Sequence, residues 1–68
     1  MKISSEFVKA YRVQKLENQT AFWSRFGISQ SRGSRFELGK EIPYSVKLLI
    51  GLYINGVISD NDLQRNKD

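Results

Sequence analysis

The sequence contains no cysteine and no histidine. A chain without them cannot form disulfides, thiolate or imidazole metal sites, or the nucleophile–histidine pairs of many hydrolytic enzymes. Its carboxylates are scattered along the chain rather than paired on one face, which excludes the usual acid–base arrangement. We therefore expect no enzymatic activity, no metal and no cofactor.

Proline and long apolar runs are also scarce. The chain has one proline, no apolar run near the roughly 18 residues that cross a bilayer, and no apolar signal segment at its start. At 68 residues it has room for one small core, so we expect a single domain over residues 1–68, located in the cytoplasm. A domain of this size is usually stabilised by a crosslink, a metal or a partner chain.

Positive charge is concentrated in the middle of the sequence. The net charge of +4 and the isoelectric point near 9.7 favour a polyanionic partner only weakly. Between residues 19 and 40, however, Glu37 is the single acid, and the bases are Arg25, Arg32, Arg35 and Lys40. Three further acids lie far away, at residues 60–68. This distribution is typical of a segment that binds phosphates.

Residues 19–39 predict two short helices joined by a tight turn. Phe22, Trp23 and Phe26 share one face of the first of these helices. Gly27 ends it, because glycine adopts the left-handed conformation without steric cost. Ser29 is a good N-cap for the next helix, which begins with glutamine, serine and arginine. Together they predict a helix-turn-helix whose second helix reads DNA.

We predict an all-α fold with helices at about residues 5–16, 19–26, 30–38, 44–54 and 60–65. Ser4 or Ser5 caps the first helix, and Asn18 caps the second. The inward-facing residues expected in the first helix are Phe7, Val8, Tyr11 and, at its end, Leu16.

The fourth predicted helix contains the most apolar run, and we expect the first three helices to pack against it. Its β-branched residues leave a strand as the alternative, but its length and the lack of a second strand favour a helix. Pro43 precedes its start and Gly56 follows its end. Residues 57 and 58 are expected to be extended, and Ser59 to cap a short fifth helix.

These motifs resemble the phage repressor and Cro-like (Xre-type) helix-turn-helix family over residues 7–53. Gln19 stands where that family has a glutamine opening helix two. Residues 26–31, Phe-Gly-Ile-Ser-Gln-Ser, are similar to its Leu-Gly-Val-Ser-Gln-Ser, and residues 34–40 to its Ser-Arg-Ile-Glu-x-Gly-Lys. The resemblance implies a compact five-helix lambda-repressor-like domain. It also implies a sequence-specific, double-stranded-DNA-binding transcriptional regulator of phage or bacterial type.

Two residues depart from the family pattern. Trp23 stands where the family has a small residue, usually alanine, and Gly33 where it has a β-branched apolar one. The indole can fill the space left at residue 33, in which case the core volume is roughly conserved and Gly33→Val would overpack it. Alternatively, Gly33 only weakens the third helix.

The resemblance also implies an ion pair between Arg12 in the first helix and Glu37 at the end of the third. Arg12 is then a structural residue rather than a DNA contact. The alternative is that both side chains are solvated, as most charged residues are.

The resemblance assigns DNA contacts residue by residue. Gln19 and Thr20, at the start of the second helix, and Lys40, after the third, are assigned to phosphates. The residues assigned to base edges in the major groove are Gln30, Ser31, Arg32, Ser34 and Arg35. Arg35 has two alternatives, a phosphate contact or capping of the carbonyl acceptors of the second helix, and Arg25 is expected to be solvated.

Such domains usually act as homodimers, so the resemblance implies a second copy of the chain. The sequence contains no zipper, which leaves the fourth helix, residues 57–58 or the fifth helix as the dimer surface. We expect neither a membrane nor a small-molecule partner. The rival interpretation is a protein-interaction module, such as an antitoxin-like partner that uses the same fold.

Overall fold

The computed structural model describes residues 3–64, which form five α-helices and no strand. The helices are α1 (Ser5–Gln14), α2 (Gln19–Ser24), α3 (Gln30–Glu37), α4 (Tyr44–Ile54) and α5 (Asp60–Gln64). The all-α prediction is confirmed, and the strand alternative for residues 44–54 is wrong. The predicted end of the fifth helix, Arg65, lies outside the described residues.

The predicted N-caps are in place. Ser4, Asn18 and Ser29 each accept a hydrogen bond from the backbone N–H three residues on, at 3.1, 2.7 and 3.2 Å. Each bond satisfies an amide that the first helical turn leaves without a partner. Ser59 and Asp62 form a reciprocal pair, in which each side chain accepts from the other residue's backbone N–H. These four sites set where α1, α2, α3 and α5 begin.

The end of α1 differs from the prediction. The helix ends at Gln14, and Leu16 adopts a left-handed backbone with φ of 61°. The N–H of Leu16 donates to the carbonyl of Val13, and the N–H of Glu17 donates to that of Arg12. This is the closing pattern in which glycine usually occupies the left-handed position. Because the turn directs the side chain away from the core, Leu16 is 93% exposed, and the expectation that it faces inward is wrong.

The turn between α2 and α3 is centred on Gly27, as predicted, although α2 ends at Ser24 rather than residue 26. Gly27 has φ of 76°, and the N–H groups of Gly27 and Ile28 donate to the carbonyls of Ser24 and Trp23. The left-handed glycine therefore closes α2 and aims the chain at the Ser29 cap. α3 ends at Glu37, one residue earlier than predicted.

Ten buried apolar side chains form the core: Ile3, Val8, Phe22, Trp23, Phe26, Ile28, Phe36, Ile42, Val46 and Ile50. Phe7 and Tyr11 pack against its edge. Residues 57 and 58 bend back instead of extending, because both of their N–H groups donate to the carbonyl of Leu52. Although α4 is strongly apolar, no helix in the described range is long and apolar enough to span a bilayer.

Candidate nucleic-acid interface

Trp23 and Gly33 meet where α2 crosses α3. Trp23 is fully buried, and Gly33 is buried beneath its indole. A Cβ built on Gly33 would lie 2.3 Å from both Cγ and Cδ1 of the indole, far inside van der Waals contact. The indole therefore occupies the space that a side chain at residue 33 would need, as expected for a compensating exchange of volume.

The carboxylate of Glu37 connects the first three helices through polar contacts. Its carboxylate accepts hydrogen bonds from Arg12 Nε and Nη2 at 2.8 and 2.9 Å, from Trp23 Nε1 at 2.8 Å, and from Gln19 Nε2 at 3.1 Å. The Glu37 side chain is only 3% exposed, and Arg12 is 12% exposed. Arg12 and Glu37 thus form a two-pronged ion pair between α1 and α3, and neither is solvated.

The environment of Glu37 acts on its pKa in two directions. Burial raises the pKa, because a low-dielectric setting disfavours the charged form. The hydrogen bonds from Arg12, Trp23 and Gln19, together with the Arg12 charge, outweigh burial and hold the pKa of Glu37 below its ordinary value. The group is therefore a carboxylate at neutral pH, with each hydrogen-bond donor directed at it.

The side chain of Gln19 links the Glu37 carboxylate to the start of α3. Its Nε2 donates to Glu37, and its Oε1 accepts from Gln30 Nε2 at 2.7 Å. Gln30, the first residue of α3, is exposed. The amide of Gln30 is thus held at the surface by a polar chain that begins at the buried carboxylate. The side-chain amide of Gln19 is thus hydrogen-bonded at both its nitrogen and its oxygen, and the phosphate contact expected for Gln19 stays a prediction.

One face of α3 is polar and open. At 100° per residue, Gln30, Ser31, Ser34 and Arg35 share a face opposite the buried Phe36. Gln30, Ser31 and Arg35 are exposed, and Ser34 is half-buried. The structure therefore brings four of the five expected base-reading residues onto one surface.

Arg32 lies beside Arg35 at the edge of that face. Its guanidinium sits 5.4 Å from the centre of the Phe36 ring. Together with Arg35 and Lys40 it lines a shallow depression beside Pro43, at the start of α4. Two positions along a helix turn a side chain by about 200°, which separates Arg32 from Gln30. Arg32 thus lies on the same flank as Lys40.

The start of α2 offers further polar groups. Gln19 is half-buried and Thr20 is exposed. The backbone N–H groups of Gln19 and Thr20 come directly before that of Ala21. The Ala21 N–H donates to the side chain of Asn18. The first turn of α2 contains no acidic residue. Amides at such a helix start are suited to an anion.

Arg25 was expected to be solvated, and this expectation is wrong. Its guanidinium makes two 2.7 Å bonds to the Glu17 carboxylate, bonds Asp60, and lies 4.9 Å from the centre of the Tyr53 ring. The side chain is only 13% exposed. The hydrogen bonds to Glu17 are the main reason that its pKa is raised. Arg25 therefore fastens α5 to α2 and adds little charge to the DNA-facing surface.

The comparisons with known proteins indicate a helix-turn-helix repressor fold. A sequence profile described as the RsaL-like helix-turn-helix domain matches residues 9–53, more than half of the chain. Among solved structures, a chain described as the quorum-sensing repressor RsaL of Pseudomonas aeruginosa superposes with a TM-score of 0.85. The two sequences are 47% identical, and the match covers 94% of each chain. The comparison with curated proteins returned no match.

The fold, the turn at Gly27 and the profile match all point to the same assignment. The expected resemblance to helix-turn-helix repressors is confirmed at that level. The chain belongs to the RsaL-like helix-turn-helix domain family.

Proposed function

We propose that this chain is a sequence-specific, double-stranded-DNA-binding transcriptional repressor that places α3 in the major groove. The observation that carries the proposal is the open face of α3, whose first residue is anchored through Gln19 to the buried carboxylate of Glu37. A recognition helix held in this way presents its side chains with little loss of conformational freedom on binding. The solved repressor with which the chain shares 47% identity supports the same function.

Base edges are read by Gln30, Ser31, Ser34 and Arg35. Arginine can donate two bonds to guanine O6 and N7, and glutamine can bond adenine N6 and N7. Gln30 uses one amide hydrogen for Gln19, so its second hydrogen and its carbonyl oxygen remain available for adenine. The link to Gln19 fixes the amide orientation that this readout requires.

Phosphates are held on both sides of that face. The backbone amides of Gln19 and Thr20 bind one phosphate at the start of α2, and Lys40 binds another beyond the end of α3. We place Arg32 with Lys40, because both line the depression beside Pro43 and Arg32 lies about 200° around α3 from Gln30. Arg35 also lines that depression and lies between the two groups. This placement differs from the base-reading role expected for Arg32 from the sequence.

The regulator is of bacterial or phage type and works as a homodimer in the cytoplasm, as a Cro-like protein of the wider Xre type. Two copies related by a two-fold axis read half-sites about 34 Å apart on one side of the duplex. Occupancy of the operator blocks polymerase or a competing regulator, without catalysis. The motifs at residues 26–31 and 34–40 support the Cro-like relationship.

The exposure of Arg32 and Arg35 favours this function over a protein-interaction module. The two guanidinium groups and Lys40 line the same depression, so positive charge is gathered on this flank as phosphate binding requires.

The decisive experiment is fluorescence anisotropy of a labelled mixed-sequence duplex, titrated with the protein over a series of salt concentrations. We expect log K to fall linearly with log salt, with a slope that corresponds to several phosphates. Selection from a random duplex pool then gives the operator. Absence of binding at about 50 mM salt, where phosphate contacts are strong, overturns the proposal.

A further inference from the structure

Within residues 3–64, one face of α4 is apolar and uncovered. Tyr44, Leu48 and Gly51 follow one another at helical spacing, opposite the buried Val46 and Ile50. Tyr44 is 78% exposed and Leu48 is 49% exposed. With Ile3, Lys47, Leu52 and Asn55, these residues line a groove along the helix. An amphipathic surface helix normally presents charged residues here, whereas this face has a single lysine.

Gly51 leaves a gap in the middle of that face. A Cβ built on Gly51 would meet no atom within 4 Å, so the space above its backbone is open. Leu48 projects from the turn immediately before it. A protruding leucine and an open gap one turn apart are self-complementary: in an antiparallel pair of α4 helices, each Leu48 enters the gap of the other copy. A two-fold interface requires this reciprocity, in which residue i meets j and j meets i.

The charges on α4 favour the same arrangement. The last turn of α4 contains no basic residue, although its carbonyl groups carry partial negative charge. The antiparallel pairing that joins residue 48 to residue 51 also brings Lys47 beside the partner's Leu52, in that last turn. The stem of Lys47 then covers apolar surface, and its ammonium lies near the carbonyl end of the partner's helix.

We propose that a second copy of this chain docks on this face, with two antiparallel α4 helices crossing at Leu48 and Gly51. The inference rests on the proposed function, since a two-fold operator requires two copies. It assigns the dimer surface to the groove of α4 rather than to residues 57–58 or α5. The contact is formed by both copies of the same face, so each substitution on it acts twice.

Sedimentation equilibrium on the full chain, without DNA, over about 1–200 µM tests this surface. We expect a reversible dimer for the unmodified chain. Leu48→Glu is expected to raise the dissociation constant at least about a hundredfold, because it buries two uncompensated carboxylates. Leu38→Glu is the matched control, since Leu38 is 83% exposed and lies off this face; we expect no change.

Gly51→Gln separates an interface role from a folding role. Glutamine is a better helix former than glycine and has open space here, so the thermal midpoint of the dilute protein should stay the same or rise. The same change fills the gap for Leu48 and should raise the dissociation constant at least about tenfold. A monomeric unmodified chain, or a Gly51→Gln dimer of unchanged affinity, overturns the proposal.

The duplex titration distinguishes failure here from failure of the proposed function. A mixed-sequence duplex of about 12 base pairs accommodates one recognition helix. Leu48→Glu should bind this duplex with the affinity and salt slope of the unmodified chain, because the face of α3 is unaltered. If the unmodified chain dimerises but does not bind duplex, the dimer surface stands and the DNA-binding proposal is wrong.

Discussion

Trp23 Nε1 donates a 2.8 Å hydrogen bond to Glu37 Oε2, so the indole that fills the space above Gly33 also holds the carboxylate that organises the interface. The same carboxylate binds Arg12 and Gln19. One residue thereby connects the packing of α2 on α3 with the polar contacts that anchor the recognition helix. A disturbance at this crossing should consequently lower stability and DNA affinity together.

Adding a side chain at residue 33 tests the packing part of this arrangement. We expect Gly33→Ala to destabilise the fold by about 1–3 kcal/mol, since even a Cβ overlaps the indole. Gly51→Ala is the matched control, because it is also inside a helix but has open space; it should stabilise by about 0.5–1 kcal/mol. Urea denaturation of dilute protein, followed by Trp23 fluorescence, measures both changes. A stabilised Gly33→Ala protein would show that the indole does not need this space.

The ion pair between Arg12 and Glu37 is expected to be strongly coupled. Arg12→Ala leaves a buried carboxylate without its cation and should cost about 3–5 kcal/mol of unfolding free energy. A double-mutant cycle with Glu37→Gln, measured by urea denaturation, gives the coupling energy. Lys9→Ala, which removes an exposed charge from the middle of α1, is the control and should change stability by less than about 0.5 kcal/mol. Additive effects in the cycle would contradict the pairing.

Glu37 should also make the unfolding free energy depend on pH in the acid range. Its pKa in the folded chain lies below the ordinary value of about 4.3, so its contribution is complete above that value. The contribution is lost as the pH falls through the folded pKa, where the carboxylate binds a proton. We therefore expect the stability difference between the unmodified chain and Glu37→Gln to be constant near neutral pH and to shrink over the acid range below about pH 4.3. Thermal denaturation of both proteins across that range is the measurement, and parallel pH curves would rule out this role for Glu37.

The left-handed turn at Leu16 stores removable strain. A non-glycine residue there costs about 1–2 kcal/mol, and Leu16 is 93% exposed, so its side chain contributes little packing in return. Leu16→Gly should raise the unfolding free energy by about 0.5–1 kcal/mol after the greater flexibility of glycine in the unfolded chain is deducted. Leu38→Gly, at an exposed helix end with φ of −85°, should give no gain. Equal effects of the two changes would refute the strain argument.

Arg35 and Arg32 should affect DNA binding in different ways. Arg35→Ala is expected to lose about 1–3 kcal/mol against the selected operator and to relax specificity at one base pair. Arg32→Ala should weaken binding to all sequences equally and reduce the salt slope by about one. Lys9→Ala, which removes an exposed charge from α1, is the control in the same anisotropy series. Relaxed specificity in Arg32→Ala would return that residue to the base-reading group.

The positions of the helices could be predicted because their signals are local. The Asn18 and Ser29 caps act on amides three residues away, and Gly27 acts through its own backbone. These interactions depend on neighbours in sequence and so can be recognised without a tertiary structure. The Trp23–Gly33 exchange needed one further step, a comparison of volumes at two positions of a known helix crossing.

The residues whose environment could not be predicted are those surrounded by distant parts of the chain. Arg25 has ordinary neighbours in sequence, but the fold places Glu17, Tyr53 and Asp60 around it, the last from 35 positions away. The helical spacing predicts that Leu16 is the last inward residue of α1. The left-handed turn toward Glu17 directs it outward instead.

The sequence by itself determined the order of the helices, the turn at Gly27 and the concentration of basic residues between positions 19 and 40. Only the tertiary structure decided which of those charges remain available. It paired Arg25 with Glu17 and Asp60, brought Arg32, Arg35 and Lys40 to one depression, and linked Gln30 through Gln19 to Glu37. The physical reason is that caps and turns are short-range, whereas the exposure and pairing of a charge depend on every element that packs around it.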